Sequence, residues 1–316
     1  NVACAKQAAE LALAYVLTDD LAFAEGAAEI LRAYIPLVPT YEVTVTKGLA
    51  TSAALSEAGW ATNMCVAYDL IFNSGVLTDA DKQAVETDVL KPSAEAMRIC
   101  NHPFRSNWRN RAMAGFGTVG FCIGDRDLID EALNGICDAD GELMRDGFGR
   151  QLAEAILADG VYYERTVGYH YAVLENYAHL MEVARHSGVD LWHTEMTSIE
   201  RDAGADRDRV FGDGGPMNIK ALYEMPFYYA FSDTSKAAVG NAKADKLHRR
   251  WFFEAAWKQF QDPKFAWIAH VPAEDAPERI KEPLELMHIV PGMPEGHYDL
   301  AENAAPGLTG WHENTC

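Results

Sequence analysis

The chain has 316 residues, 49% hydrophobic and 23% charged, the composition of a folded globular protein with a large core, which excludes a disordered chain. Lys and Arg total 27 against 47 Asp and Glu, a formal net charge of −20, so the surface as a whole repels nucleic acid and anionic lipid, and a polyanionic ligand must meet a local exception. The uncharged stretch at 112–124 is far shorter than the roughly 20 residues a membrane helix needs, so no membrane insertion is expected.

Apolar residues recur at helical spacing almost from the start. The chain begins at Asn1 with no basic and apolar leader, which reads as a processed or engineered start. Thr18-Asp19-Asp20 supplies the first stop, Ala58, Ala61, Cys65, Tyr68 and Phe72 form an amphipathic stripe, and Asn73-Ser74-Gly75 ends it. Further stops follow at Gly124-Asp125-Arg126, Asp159-Gly160 and Ser187-Gly188, with a second stripe at Val173, Tyr177, Leu180 and Ala184 between the last two. The pattern predicts roughly ten to twelve helices up to Ile268 and no run of alternating β-branched residues, an all-α fold of helical hairpins side by side. An α/α toroid or an α-solenoid satisfies that, and the lack of a fixed repeat period counts against the solenoid. After His270 the texture changes: residues 271–316 hold six of the thirteen prolines and no helical period, and are expected to be an extended linker or arm following a helical domain at 1–270. Six cysteines without a C-x-x-C spacing imply neither zinc nor a disulfide framework.

One segment departs from the acidic average. Residues 97–124 contain no Asp or Glu, yet include Arg98, His102, Arg105, Arg109 and Arg111; at the chain's acid density a given window of that length is acid-free only about once in a hundred times. One reading is a central helix, rich in Gly and Ala, buried between others. The other is the anion-binding wall of a cleft, since the guanidinium fork suits carboxylate or sulfate. Gly115-Phe116-Gly117-Thr118-Val119-Gly120 formally matches a dinucleotide-binding fingerprint, but the preceding residues 108–114 lack the β-strand that motif requires. Small residues here are expected to let two helices approach closely. Asp138-Ala139-Asp140-Gly141-Glu142 starts like a calcium loop, places its Gly too early, and reads as a solvated turn.

A second unusual stretch, residues 159–171, gathers Tyr162, Tyr163, Tyr169 and Tyr171 with Glu164, Arg165 and His170 around an expected helix start. Rings with polar tips suit a sugar site, where they stack on pyranose faces and donate hydrogen bonds; tyrosines packed between helical hairpins are the plainer alternative.

Ser106-Asn107-Trp108 leading into Ala114-Gly115, then Asp159-Gly160 through Glu164 to Tyr169-His170, resembles the heparinase II/III-like and alginate-lyase group of polysaccharide lyases in order and spacing. Gly59-Trp60 and Ala67-Tyr68-Asp69-Leu70-Ile71 ahead of them, and Tyr- and Trp-rich later helices ending in Asp262-Pro263, extend the likeness. The resemblance implies an incomplete α/α toroid, normally followed by an antiparallel β-sandwich that contributes a catalytic His, so the chain is expected to stop short of that second domain. Many relatives carry His directly after the Asn, where this chain has Trp108.

The activity so implied is β-elimination on a uronic-acid-containing polysaccharide of alginate or glycosaminoglycan type. Asn107 is assigned to neutralising the C5 carboxylate and Tyr169 to acid/base chemistry, with His170 as a candidate assistant in proton removal. Arg105, Trp108, Arg109, Arg111, Tyr163, Glu164 and Arg165 are the candidate substrate-binding residues. Tyr169 and His170, adjacent on a helix, point about 100° apart and cannot face the substrate equally. No cofactor is required, although a related β-sandwich could hold a structural metal. A polymeric substrate suggests a periplasmic or secreted enzyme. Two rivals stand beside this reading: a glycoside hydrolase on a similar toroid, for which Asp159 and Glu164 are the available carboxylates, and a non-catalytic glycan-binding scaffold.

Overall fold

A computed structural model describes residues 1–157, 160–197, 216–230, 235–236, 245–246, 251–270 and 283–296. Helices dominate, and among the described residues the strands form only two-stranded antiparallel ladders, so the fold is all-α as the periodicity predicts. The chain divides into two compact units, Asn1–Arg150 with Glu182–Val189, and Gln151–Met181 with Asp190–Cys316.

In the first unit α1 (Val2–Thr18) and α2 (Leu21–Tyr34) are joined at the expected stop, where Asp19 turns left-handed and the Asp20 side chain accepts from the Ala22 amide. Next come α3 (Ala54–Ile71), α4 (Asp79–Ala84), opened by a Thr78/Asp81 capping box, and α5 (Lys91–Arg98), reached through a π-helical stretch at Val85–Leu90. Then follow α6 (Asn107–Ile123), α7 (Arg126–Asn134) and a small hairpin of β1 (Ile136–Cys137) and β2 (Leu143–Arg145). The Asp138 carboxylate in that hairpin accepts from the Asp140 and Glu142 amides, the self-bonded turn anticipated in place of a calcium loop.

At the centre of this unit α3 packs against α1, α5 and α6, burying Trp60, Met64 and Tyr68. Its approach to α6 depends on glycine. A Cβ on Gly115 would lie 2.7 Å from the Ala58 Cβ, and one on Gly120 would lie 2.8 Å from the Leu128 Cβ of α7. Gly115 and Gly120, two of the three glycines that mimic a dinucleotide motif, are therefore helix-packing residues inside α6.

Most of α8 (Phe148–Ala155) and α9 (Val167–His186) belong to the second unit. They are followed by the ladder of β3 (Glu195–Thr197) and β4 (Pro216–Asn218), α10 (Ile219–Tyr228), the ladder of β5 (Ser235–Lys236) and β6 (Asp245–Lys246), α11 (Trp251–Phe260) and α12 (Pro263–His270). Tyr223, Phe227, Phe253 and Phe265 form an aromatic core, with Trp192 stacked on Tyr223 at 5.6 Å between ring centroids. Of the expected arm, residues 271–282 and 297–316 lie outside the described residues. Its described part forms a 3₁₀ turn at Pro283–His288, with His288 stacked on Trp251 at 4.1 Å and the Val290 amide donating to Glu254 at 3.0 Å; this part of the arm thus lies along α11.

A methyl group at position 115 must push α3 and α6 apart, whereas exposed Gly168, in the first turn of α9, has nothing within 4 Å of where its Cβ would stand. Gly115→Ala is expected to lose about 1–3 kcal/mol in urea unfolding, and Gly168→Ala to be neutral or to gain up to about 1 kcal/mol. Equal effects at the two positions would contradict the close helix contact.

Candidate active site

The entry to α6 is built around a buried carboxylate and a buried guanidinium. Asp146, just after β2, takes the Arg105 amide at 2.6 Å on its side chain, donates its own amide to the Pro103 carbonyl at 2.9 Å, and accepts Arg109 Nε on its carbonyl at 2.8 Å. These bonds hold a turn in which Arg105 adopts φ 41°, a left-handed conformation costly for a residue with a Cβ and tolerated where the surroundings over-determine it. Ser106 then caps α6 by accepting from the Arg109 amide at 3.0 Å.

Arg109 lies inside the protein. Its Nη2 pairs with Glu131 at 3.0 Å, its Nη1 donates to the Arg98 carbonyl at 3.2 Å, and the second Glu131 oxygen binds Arg98 Nε at 2.7 Å. Burial pulls the Arg109 guanidinium below its ordinary value while Glu131 opposes that shift. All three nitrogens of the fork face protein acceptors, so Arg109, expected among the substrate ligands, is a structural residue. The acid-free segment has counter-charges after all, contributed by Glu95 before it and Glu131 after it.

Around this core, Asn107, Trp108 and Arg111 are half-buried and Arg105 is buried. Trp108 carries the His102 ring against it, 5.4 Å between centroids. Arg111 reaches α3, where its Nη2 lies 3.1 Å from the place a Cβ would take on Gly59, so the Gly59-Trp60 pair picked out in the sequence makes room for a guanidinium. From Ala112 to Gly120 α6 is buried. The two readings of the segment thus apply to different turns of one helix, buried structure for most of it and partial exposure at its start.

In the second unit a tight turn prepares the start of α9. Gly160 has φ 84°, and a Cβ there would lie 2.8 Å from the Ala221 carbonyl, so only glycine fits; neighbouring Asp159 lies outside the described residues. Tyr162 is buried and bridges to Ile156, while Tyr163, Glu164 and Arg165 are half-buried, Arg165 at φ 57° with its amide on the Tyr162 carbonyl at 2.8 Å. Thr166 accepts the Tyr169 amide on its hydroxyl at 3.1 Å and the His170 amide on its carbonyl at 2.9 Å, and so caps α9.

Tyr169 and His170 separate as helical phase requires. Tyr169 is half-exposed. His170 is buried; its Nδ1 accepts the Tyr162 amide at 3.2 Å, and its Nε2–H donates to the Leu222 carbonyl at 2.9 Å. That pairing selects the neutral tautomer protonated on Nε2. Burial lowers its pKa to about 4. His170, expected as an assistant base, has its lone pair occupied by a backbone amide and instead ties the turn before α9 to α10.

Residues 1–201 match the alginate lyase family. That span is more than half of the chain and contains both Asn107 with its capping turn and the Tyr169 helix start; the chain belongs to the alginate lyase family. Among curated proteins it is similar to an alginate lyase of Stenotrophomonas maltophilia strain K279a, 28% identical over 172 residues, a match covering 50% of this chain and 22% of that protein. The chain thus spans about a fifth of the length of this relative.

Two outcomes follow from these buried groups. Glu131→Ala leaves Arg109 charged and unpaired in the interior and is expected to cost about 3–5 kcal/mol, whereas Asn107→Ala at the half-exposed helix start should change stability by less than about 1 kcal/mol; denaturant titration separates them. The second concerns pH. His170 is depressed from 6.5 to about 4 on folding, so below pH 6.5 the unfolded chain binds a proton that the folded chain refuses. Its contribution, about 3 kcal/mol, is complete above pH 6.5 and is lost as pH falls towards 4. Stability curves of the wild type and His170→Gln should converge over that window, and curves that stay parallel would refute the role.

Proposed function

We propose that the protein is a polysaccharide lyase that cleaves an alginate-type uronate polymer by β-elimination. What carries this reading is the family match over residues 1–201, within which Asn107 and Tyr169 each stand, half-exposed, at a capped helix start. The S. maltophilia relative bears the name alginate lyase, and that name favours alginate over glycosaminoglycans as substrate.

Elimination removes the C5 proton of a uronate, places enolate-like charge on its carboxylate, and breaks the bond from C4 to the bridging oxygen. The oxygen leaves with a proton, and the new sugar end carries a 4,5 double bond. Asn107 donates its side-chain amide to the carboxylate, where charge grows in the transition state. Arg111 takes the place of Arg109 as second donor. Tyr169 donates the proton to the leaving oxygen and serves as base at C5, and Arg165 is a further substrate contact. Trp108, Tyr163 and Glu164 complete the substrate contacts. An enzyme acting on a polymer of this size works outside the cytoplasm, in the periplasm or the medium.

The test is an absorbance assay for unsaturated uronate on alginate, heparan and chondroitin. Alginate should give a rise that falls by at least about 10²-fold in Tyr169→Phe and by about 10²–10³-fold in kcat for Asn107→Ala. New reducing ends without absorbance would make the protein a hydrolase, and binding without either signal would make it a scaffold.

A further inference from the structure

α3 and α6 pass each other along a seam of small residues. Ala58 meets Gly115, where the Cβ-to-Cβ separation would be 2.7 Å. Seven residues further along each helix, two turns on, stand Cys65 and Cys122. The same step on both helices keeps the same faces together, which means that the two run in the same direction. Cys65 is buried and Cys122 half-buried, and the Cys122 thiol donates to the Cys65 backbone carbonyl at 3.9 Å. Both are free thiols in the structure.

We propose that Cys65 and Cys122 are an oxidation site that closes to a disulfide, stapling α3 to the helix that carries Asn107. Two features of the pair set the order of events. Cys122, reached by solvent, is the attacking thiol, while burial and the neighbouring sulfur hold the Cys65 thiol well above its ordinary pKa and make it the resolving partner. With a small-molecule disulfide as oxidant, the Cys122 thiolate attacks one sulfur, forms a mixed disulfide and releases one thiol. Cys65 then transfers its proton to solvent and displaces the second thiol as the intramolecular bond forms. Two protein thiols and one disulfide become one protein disulfide and two small thiols.

The link closes a long loop, from α3 through α5 to the end of α6, and cross-links of that span stabilise chiefly by restricting the unfolded chain. They also hold the α3–α6 seam against sliding, and with it the start of α6. The sequence hides the pair, since 57 residues separate its members and no short spacing announces them.

The experiment equilibrates the full chain with glutathione disulfide, blocks remaining thiols with an alkylating agent, and maps peptides by mass without reduction. The expected result is a Cys65–Cys122 peptide pair lighter by two hydrogens than its reduced form, with a melting temperature roughly 5–15 °C above that of the dithiothreitol-treated protein. Cys122→Ser, a conservative change at a half-buried position, should lose both the linked peptide and the oxidant-dependent shift. Full alkylation of Cys122 after equilibration overturns the proposal, as does a linked pair that involves a different cysteine. A melting temperature that shifts equally in Cys122→Ser overturns the staple.

Discussion

The ion pair between Arg109 and Glu131 is the constraint on which the candidate site in the first unit depends. Bringing a guanidinium and a carboxylate out of water costs several kcal/mol for each ion, and their attraction repays this only when every donor and lone pair is satisfied. Here the fork is matched at each nitrogen, by Glu131, by the Arg98 carbonyl and by the Asp146 carbonyl. One side chain therefore ties α6 to α7, to the end of α5 and to the segment after β2. The left-handed Arg105 and the Ser106 cap follow from that arrangement, and the direction of Asn107 follows from the cap. A side chain at the first position of a helix, such as that of Asn107, has little holding it locally; the buried pair that begins at Arg109 supplies the rigidity.

The second unit reaches a similar end by a different route. In the turn before α9 a neutral imidazole does the joining. His170 accepts from one backbone group and donates to another, which lets a buried ring pair with peptide groups at both nitrogens without any charge to desolvate. Since adjacent helical residues point about 100° apart, directing His170 inward leaves Tyr169 on a different face. The anchoring residue and the proposed acid/base residue are thus neighbours in sequence because they have opposite requirements, one for burial and one for access.

How much of this was legible in the sequence differs residue by residue. The helices were visible because amphipathic periodicity repeats over many residues and because the stops at Asp19-Asp20, Gly124 and Gly188 obey local rules. The packing role of Gly115 and Gly120 was also legible, because a fingerprint without its strand leaves close helix approach as the remaining use of glycine. Arg109 was misread, and the cause is physical. A run of arginines without acids looks like an anion site only if the counter-charges are sought nearby in sequence, and Glu131 lies 22 residues beyond Arg109, on the next helix. His170 was misread for the same reason, since its acceptor on Leu222 belongs to another element. Thr166, three residues before Tyr169, was a cap that local rules could have found.

The buried charges bear on how a strongly acidic protein would handle the acidic polymer proposed as its substrate. At physiological ionic strength fields beyond about 8 Å are largely screened, so the net charge of −20 governs approach less than the groups that touch the sugar do. Arg98 and Arg109 are turned inward on Glu131 and do not face a ligand. For the proposed lyase, working along a chain of carboxylates, that is an advantage. A dense patch of cations would bind every carboxylate alike, before and after reaction, and such uniform binding tightens the complex without lowering the barrier. In the proposed mechanism, an amide such as that of Asn107 binds a ground-state carboxylate modestly and gains as enolate-like charge accumulates, so its contribution falls where the rate is decided. The sequestration of Arg109 is consistent with that proposal: the buried cation holds the helix in place, and the proposed neutral donor at the helix tip meets the charge that develops.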